Sequence, residues 1–317
     1  MKLSFLNPFL WGELRRKARE NAEQGVPLDI LSDFGFKSLF TADDDDSREA
    51  LRSLLAACTD RPIASLSIRN NELLPEYLTG KTVRLDVHVT FNDGEQADLE
   101  MQAQKSDDDM KVRSTFLAAR MLSGQAKRGE DYRQIRRVYQ IFFLNFVLFQ
   151  ESGKVPRRYF MQEEKEHDQL TDVVSSVFYE LPKLKKISLE CLSGKTDLSV
   201  LPADQKWSIF FKYRNTKKMA ALIGELCQEE EGIMRADRAL KKISRDEERW
   251  ARTLFREKAA MDYRSGINNA LRKGREESAR VIEEKDRLLE EKDRVIGEKD
   301  QVIAELSRKL LEVGKNQ

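Results

Sequence analysis

An α/β sheet domain ending near residue 200, followed by a helical region and a long terminal helix, is the fold class that this 317-residue sequence predicts. Three observations carry it. Residues 84–102 hold two stretches of period-two alternation joined by an Asn-Asp-Gly turn, residues 137–149 form an almost unbroken apolar run, and a seven-residue repeat occupies the chain from Gly274 onward.

Taken in order, residues 1–27 read as a short charged lead ending near Gly25 and Pro27. From Asp29, DILSDFGFKSLF sets Ile30, Phe34, Lys37 and Ser38 along one helical side, with Phe36 and Phe40 as apolar anchors. The acidic run Asp43 to Asp46 precedes SREALRSLLAAC, so Asp46 or Ser47 is expected to cap a helix whose positive end favours acids. A calcium loop would need alternating ligands and a central glycine, which this run lacks.

IASLSIRNNELL is a strand candidate, and Asp107 to Asp109 introduce a helix through KVRSTFLAARMLSGQAKRGEDY. The run RVYQIFFLNFVLF has the length and aromatic content of a strand buried on both faces, and VVSSVFYEL is a further strand before Pro182. Beyond Pro202, residues 204–227 and 245–263 lack strand alternation and are rich in helix formers. The heptads VIEEKDR, LLEEKDR, VIGEKDQ and VIAELSR follow. With Ile282, Leu289, Ile296 and Ile303 at position a, Lys285, Lys292 and Lys299 fall at d before Leu306. Two readings stay open: a weak coiled-coil homodimer through residues 275–317, or a solvated single helix held by Glu-to-Lys pairs.

Charged residues make up 35% and hydrophobic ones 40% of the chain, at a net charge of only +1, so attraction to nucleic acid has to come from a local basic face. Cys58, Cys191 and Cys227 are widely spaced, with no C-x-x-C and two histidines in all, which argues for a reducing, cytoplasmic setting and against structural zinc. The opening MKLSFLNPFLW has no small-residue cleavage site, so no signal peptide is expected. No apolar run approaches the ~20 residues of a membrane span.

In the hairpin, Val83, Leu85, Val87, Val89 and Phe91 alternate with Arg84, Asp86, His88 and Thr90, and Ala97, Leu99 and Met101 alternate with Asp98, Glu100 and Gln102. Directly opposed residues of an antiparallel pair point to the same side. A two-residue Asp93-Gly94 turn would mix the faces. A three-residue Asn92-Asp93-Gly94 loop with left-handed Gly94 sets Val89 against Ala97, His88 against Asp98, Asp86 against Glu100 and Arg84 against Gln102. Two acids that close need compensation, which a hard divalent cation would supply. The plainer reading is a solvated sheet face, with Arg84 and His88 softening the acids.

DILSDFGFKSLF, RLDVHV, DLEMQ, Arg113, GEDY at 129–132, the buried strand and YELPKL at 179–184, in this order, resemble the recombination-promoting nuclease and transposase family (Rpn-type) of the PD-(D/E)XK nuclease superfamily. The resemblance spans residues 28 to 270. It implies a restriction-endonuclease-like mixed sheet flanked by helices and a metal-dependent DNA endonuclease that nicks or cleaves DNA and promotes recombination, with a mobile element as one setting. Asp86 then matches the motif aspartate, Glu100 the second motif acid, and Gln102 the position of the motif lysine. Asp86 and Glu100 would hold Mg²⁺, or Mn²⁺ in its place, while Gln102 orients a water. An amide can do that, yet it cannot supply the charge of a lysine.

Arg84 or Lys105 is expected to supply that charge. Asp98 is a further metal ligand candidate, or a partner of His88, and Asp33 resembles the extra acid that many superfamily members place beside the metal. DNA contact is expected along residues 111–137, where Lys111, Arg113, Arg120, Lys127, Arg128, Arg133, Arg136 and Arg137 face only Glu130 and Asp131. Lys154, Arg157 and Arg158 form a second basic spot. The domains read as a lead (1–27), a nuclease-like domain (28–202), a helical region (203–273) and a heptad-repeat helix (274–317). The alternative function is a catalytically inactive DNA-binding or assembly protein that oligomerises through its C-terminal helix.

Overall fold

The computed structural model describes residues 8–69, 72–73, 83–105, 109–126, 129 and 131–314. Its helices and strands run α1 (Pro8–Glu23), α2 (Asp33–Phe40), α3 (Asp45–Thr59), β1 (Leu66–Ile68), β2 (Glu72–Leu73), β3 (Val83–Arg84), β4 (Val87–Phe91), β5 (Gln96–Gln102) and α4 (Met110–Ser123). They continue with β6 (Val138–Leu144), β7 (Arg157–Gln162), β8 (Gln169–Glu180), α5 (Lys185–Leu192), α6 (Ala203–Tyr213), α7 (Ala220–Glu229), α8 (Glu231–Ile243) and α9 (Glu247–Gly314).

Six strands form one mixed sheet in the order β1-β4-β5-β6-β8-β7, parallel at β5-β6-β8 and antiparallel elsewhere. β2 and β3 pair separately. The hairpin register is the one parity demands: Val89 lies opposite Ala97 and His88 opposite Asp98, around a loop closed by the Phe91 amide on Glu95 O. Gly94 takes φ +86° there, a conformation that costs a side-chain-bearing residue dearly.

The sheet has two unlike faces. On one, Phe143 meets Phe36 of α2 and Phe211 of α6, and Phe40 and Trp207 complete the aromatic core. On the other, Phe142, Phe178 and Val138 pack against Met110, Leu117 and Met121 of α4. That roof overturns the solvated-face reading. Asp98 and Glu100 are fully buried, and Asp86 and His88 are nearly so. Sequence alternation marks a face as polar, yet only the later helix α4 decides that it is dry.

Several local expectations are corrected. The lead contains α1. α3 is capped by Asp44, whose carboxylate accepts from the Ser47 amide at 3.1 Å and the Ser47 hydroxyl at 2.9 Å, rather than by Asp46 or Ser47. α4 stops at Ser123, and the Gln125 side chain bonds both the amide and the carbonyl of Arg136, turning the chain back toward β6. β6 ends at Leu144 because buried Glu180 takes the amides of Leu148 at 2.6 Å and Phe149 at 2.8 Å. β7, with the sequence RRYFMQ, escaped notice because an exposed edge strand needs no apolar run and its partner β8 supplies the order.

The chain divides into two compact units, Met1–Thr253 and Leu254–Gln317. The second unit is helix, and along it Val281 and Ile282, Leu288 and Leu289, Val295 and Ile296, and Val302 and Ile303 are exposed in adjacent pairs seven residues apart. No helix among the described residues is long and apolar enough to cross a membrane.

Candidate active site

The polar side chains gather where the chain bends at Asp86, just before β4. The bend breaks the expected alternation, since Leu85 joins the cluster under α4 whereas Val87 lies opposite Leu99 on the other face. It also takes β3 out of the main sheet, so Arg84 pairs with Glu72 and not with Gln102. Freed from a regular ladder, Asp86 turns its carboxylate onto the main chain of β5. Its Oδ2 accepts from the Met101 amide at 3.1 Å, and its own amide donates to Glu100 Oε1 at 3.1 Å.

Cations reach these acids from both helical layers. Lys37 of α2 places Nζ 2.9 Å from Asp86 Oδ1 and 2.6 Å from Asp33 Oδ1. Arg113 of α4 donates to Glu100 Oε2 at 3.1 Å, and the Gln102 amide donates to the same oxygen at 3.3 Å. Asp86, Glu100 and Gln102 therefore converge, with Asp33 joined to them through Lys37.

Burial sets the electrostatics. It pushes Glu100 up to about 8, with the nearby Asp86 charge adding to the effect and Arg113 opposing it. Burial also raises Asp86, against the pull of Lys37. Asp98 is held well above the carboxylate range by burial first and Glu100 second, against Arg113 and the nearby Gln140 amide, and among the described residues neither of its oxygens has a well-formed hydrogen bond. Its neighbour Gln140 donates to Met121 Sδ at 3.0 Å, and among the described residues its own oxygen has no hydrogen-bond partner. His88 binds Gln96 Oε1 through Nε2 at 3.0 Å. Desolvation opposes the Lys37 charge, yet Asp86 and Asp33 hold it above its ordinary value.

The remaining basic candidates scatter. Lys105 is exposed just beyond β5, Arg120 is half-buried on α4, and the Arg84 side chain, Lys127 and Arg128 lie outside the described residues. Arg137 stacks on Tyr139 at 4.7 Å. Arg158 turns inward to Cys58 O at 2.7 Å. By contrast, Lys111 of α4 and Arg157 of β7 meet over one ring, Phe149, at 5.3 and 4.6 Å.

Among the described residues no group of three or more His, Cys, Asp or Glu side chains is disposed to hold a metal ion. Two hard carboxylates, Asp86 and Glu100, are nevertheless the donor set that Mg²⁺ takes when it keeps its waters for a phosphate ligand, and a bound cation would offset both the desolvation of Glu100 and its repulsion by Asp86. The residues fit a divalent cation. Sequence reasoning missed Lys37 as part of this site, although it was read on the same helical side as Ile30 and Phe34; only the packing of α2 brings it to Asp86.

The mixed six-stranded sheet flanked by helices is consistent with the restriction-endonuclease-like fold. A sequence profile for the family described as PD-(D/E)XK nuclease family transposase matches residues 30–270, and the chain belongs to that family. No curated protein and no solved structure matches it significantly.

Proposed function

We propose that the protein is a metal-dependent DNA endonuclease that nicks or cleaves DNA and thereby promotes recombination. The observation that carries this reading is a pair of crossing hydrogen bonds, Asp86 amide to Glu100 Oε1 and Met101 amide to Asp86 Oδ2, which hold two buried acids, one at the bend before β4 and one in β5, with cations of both helical layers beside them. Asp86 and Glu100 would hold Mg²⁺, with Mn²⁺ as a substitute, and the ion would lower the pKa of a bound water and offset charge on the phosphodiester. Arg113 keeps Glu100 in place. Gln102 anchors its amide nitrogen on Glu100, which leaves its carbonyl oxygen as the end that accepts from the attacking water.

DNA is the substrate in this reading. Lys111 and Arg157 make no ion pair among the described residues and are held by aromatic rings instead, so their charge stays available for phosphates. Contacts of this kind carry no base information, and cleavage without strong sequence preference follows. The nuclease-like domain at 28–202, the helical region at 203–273 and the heptad helix at 274–317 form one cytoplasmic protein. It dimerises through residues 275–317, where the exposed apolar pairs recur every seven residues.

Supercoiled plasmid nicking in Mg²⁺ or Mn²⁺ tests the reading. Wild type should nick, and Asp86→Ala and Glu100→Ala should lose nicking by at least about 100-fold. An inactive wild type, or variants equal to it, would leave the competing reading of a silent DNA-binding or assembly protein. Mass in solution with and without residues 275–317 tests the dimer, which an unchanged monomer would exclude.

A further inference from the structure

We infer that Lys37 is the phosphate-facing cation of the site, contributing from α2 the charge that Gln102 cannot contribute from β5. The inference rests on the nuclease reading above. It replaces Arg84 and Lys105 in that role: Arg84 belongs to the separate β2-β3 ladder, and among the described residues no contact ties exposed Lys105 to the paired acids.

An ammonium has three N–H donors. Lys37 pairs with Asp33 and Asp86, and among the described residues this leaves its third donor for a substrate oxygen. Its side chain is 25% exposed, so a phosphate can reach it, whereas the acid it serves is nearly buried.

The position is built firmly. Ser32 caps α2 by accepting from the Gly35 amide at 3.0 Å, and a Cβ on Gly35 would lie 2.0 Å from Asp29 O, so this turn is seated by direct backbone approach. Phe36, next to Lys37, is fully buried against Phe143 and Phe211. The helix therefore cannot slide without unpacking the core. Arg113, 31% exposed, holds wholly buried Glu100 from the opposite layer, and we assign it the positioning of that acid.

In hydrolysis the water oxygen bonds to phosphorus as the bond from phosphorus to one deoxyribose oxygen breaks. The departing oxygen takes a proton, and one water proton passes to solvent. Negative charge grows on the non-bridging phosphate oxygens, and a fixed cation that meets it there lowers the barrier.

Lys37→Met keeps the length of the side chain and removes the charge. Nicking at saturating Mn²⁺ should fall by about 100-fold, the scale of losing one such donor. Mn²⁺ affinity should not weaken, since Asp86 loses a competitor. In EDTA, the slope of log DNA affinity against log salt should shrink by about 0.9, one phosphate contact. Lys37→Arg should recover part of both. Nicking within threefold of wild type, or a loss that extra Mn²⁺ restores with an unchanged salt slope, overturns the inference. A wild type that does not nick defeats the nuclease reading, and the salt slope then still decides whether Lys37 meets a phosphate.

Discussion

The backbone amide of Asp86 donates to Glu100 Oε1 at 3.1 Å, so the second acid is held by the main chain of the first rather than by its carboxylate. Position and ionisation are thereby separated: Glu100 can gain or lose its proton without losing its anchor.

That separation predicts a pH-dependent metal affinity. Without metal, Glu100 is protonated below about 8, and a cation must displace that proton. Mn²⁺ affinity measured by titration calorimetry should rise about tenfold per pH unit between pH 6 and 8 and then level off. The stability effect has the opposite sign. A carboxyl whose folded pKa is raised contributes most below its unfolded value, and that contribution is lost as pH rises through about 8. Metal-free protein should therefore melt lower at pH 8.5 than at pH 6. Glu100→Gln should flatten this dependence.

Asp98 should behave as a core residue. Fully buried, and among the described residues without a well-formed hydrogen bond on either oxygen, it is held toward its neutral form by burial and by Glu100, and Asp98→Asn removes the ionisable group at almost constant volume. We expect stabilisation of about 1–3 kcal/mol in urea unfolding at pH 8, and less at pH 5. A loss of nicking with no gain in stability would instead assign Asp98 to a second ion.

If Lys37 carries the charge absent at position 102, the two positions should compensate. Gln102→Lys alone exchanges the water-accepting carbonyl for an ammonium and should lower nicking modestly. In the Lys37→Met background it should restore at least about tenfold, because either ammonium can serve the same phosphate. Independent losses in the double variant would place the two residues in separate tasks.

Gly35→Ala should act on the site from outside it. The new Cβ would lie 2.0 Å from Asp29 O, so the first turn of α2 must shift. A destabilisation of about 1–3 kcal/mol is expected, together with a larger loss of nicking than of DNA affinity, since Lys37 moves while Lys111 and Arg157 do not.

Lys111 and Arg157 meet over Phe149 from segments 46 residues apart. Changing both to Ala should reduce the salt slope of DNA binding by about 1.8, or 0.9 per phosphate contact, without changing Mn²⁺ affinity. Anisotropy titrations from about 50 to about 200 mM salt, a range that shortens the Debye length about twofold, would read this directly; an unchanged slope removes the pair from the DNA path.

Much of this protein is legible along the chain. Strand alternation with the constraint of parity determines that His88 faces Asp98, and the apolar run at 138–144 determines a buried central strand. Those are local rules, and they hold wherever neighbours in sequence are neighbours in space. What alternation cannot express is the bend at Asp86, which sends Leu85 to the other face and Arg84 to another ladder. Nor can it express coverage. Whether a polar face is wet depends on a helix that arrives later in the chain, and α4 made this one dry, raising the proton affinity of its acids. The cations beside those acids were likewise decided by tertiary packing. Lys37 lies 49 residues from Asp86 in sequence, and only the burial of Phe36 and Phe40 in the shared core brings its ammonium within 2.9 Å.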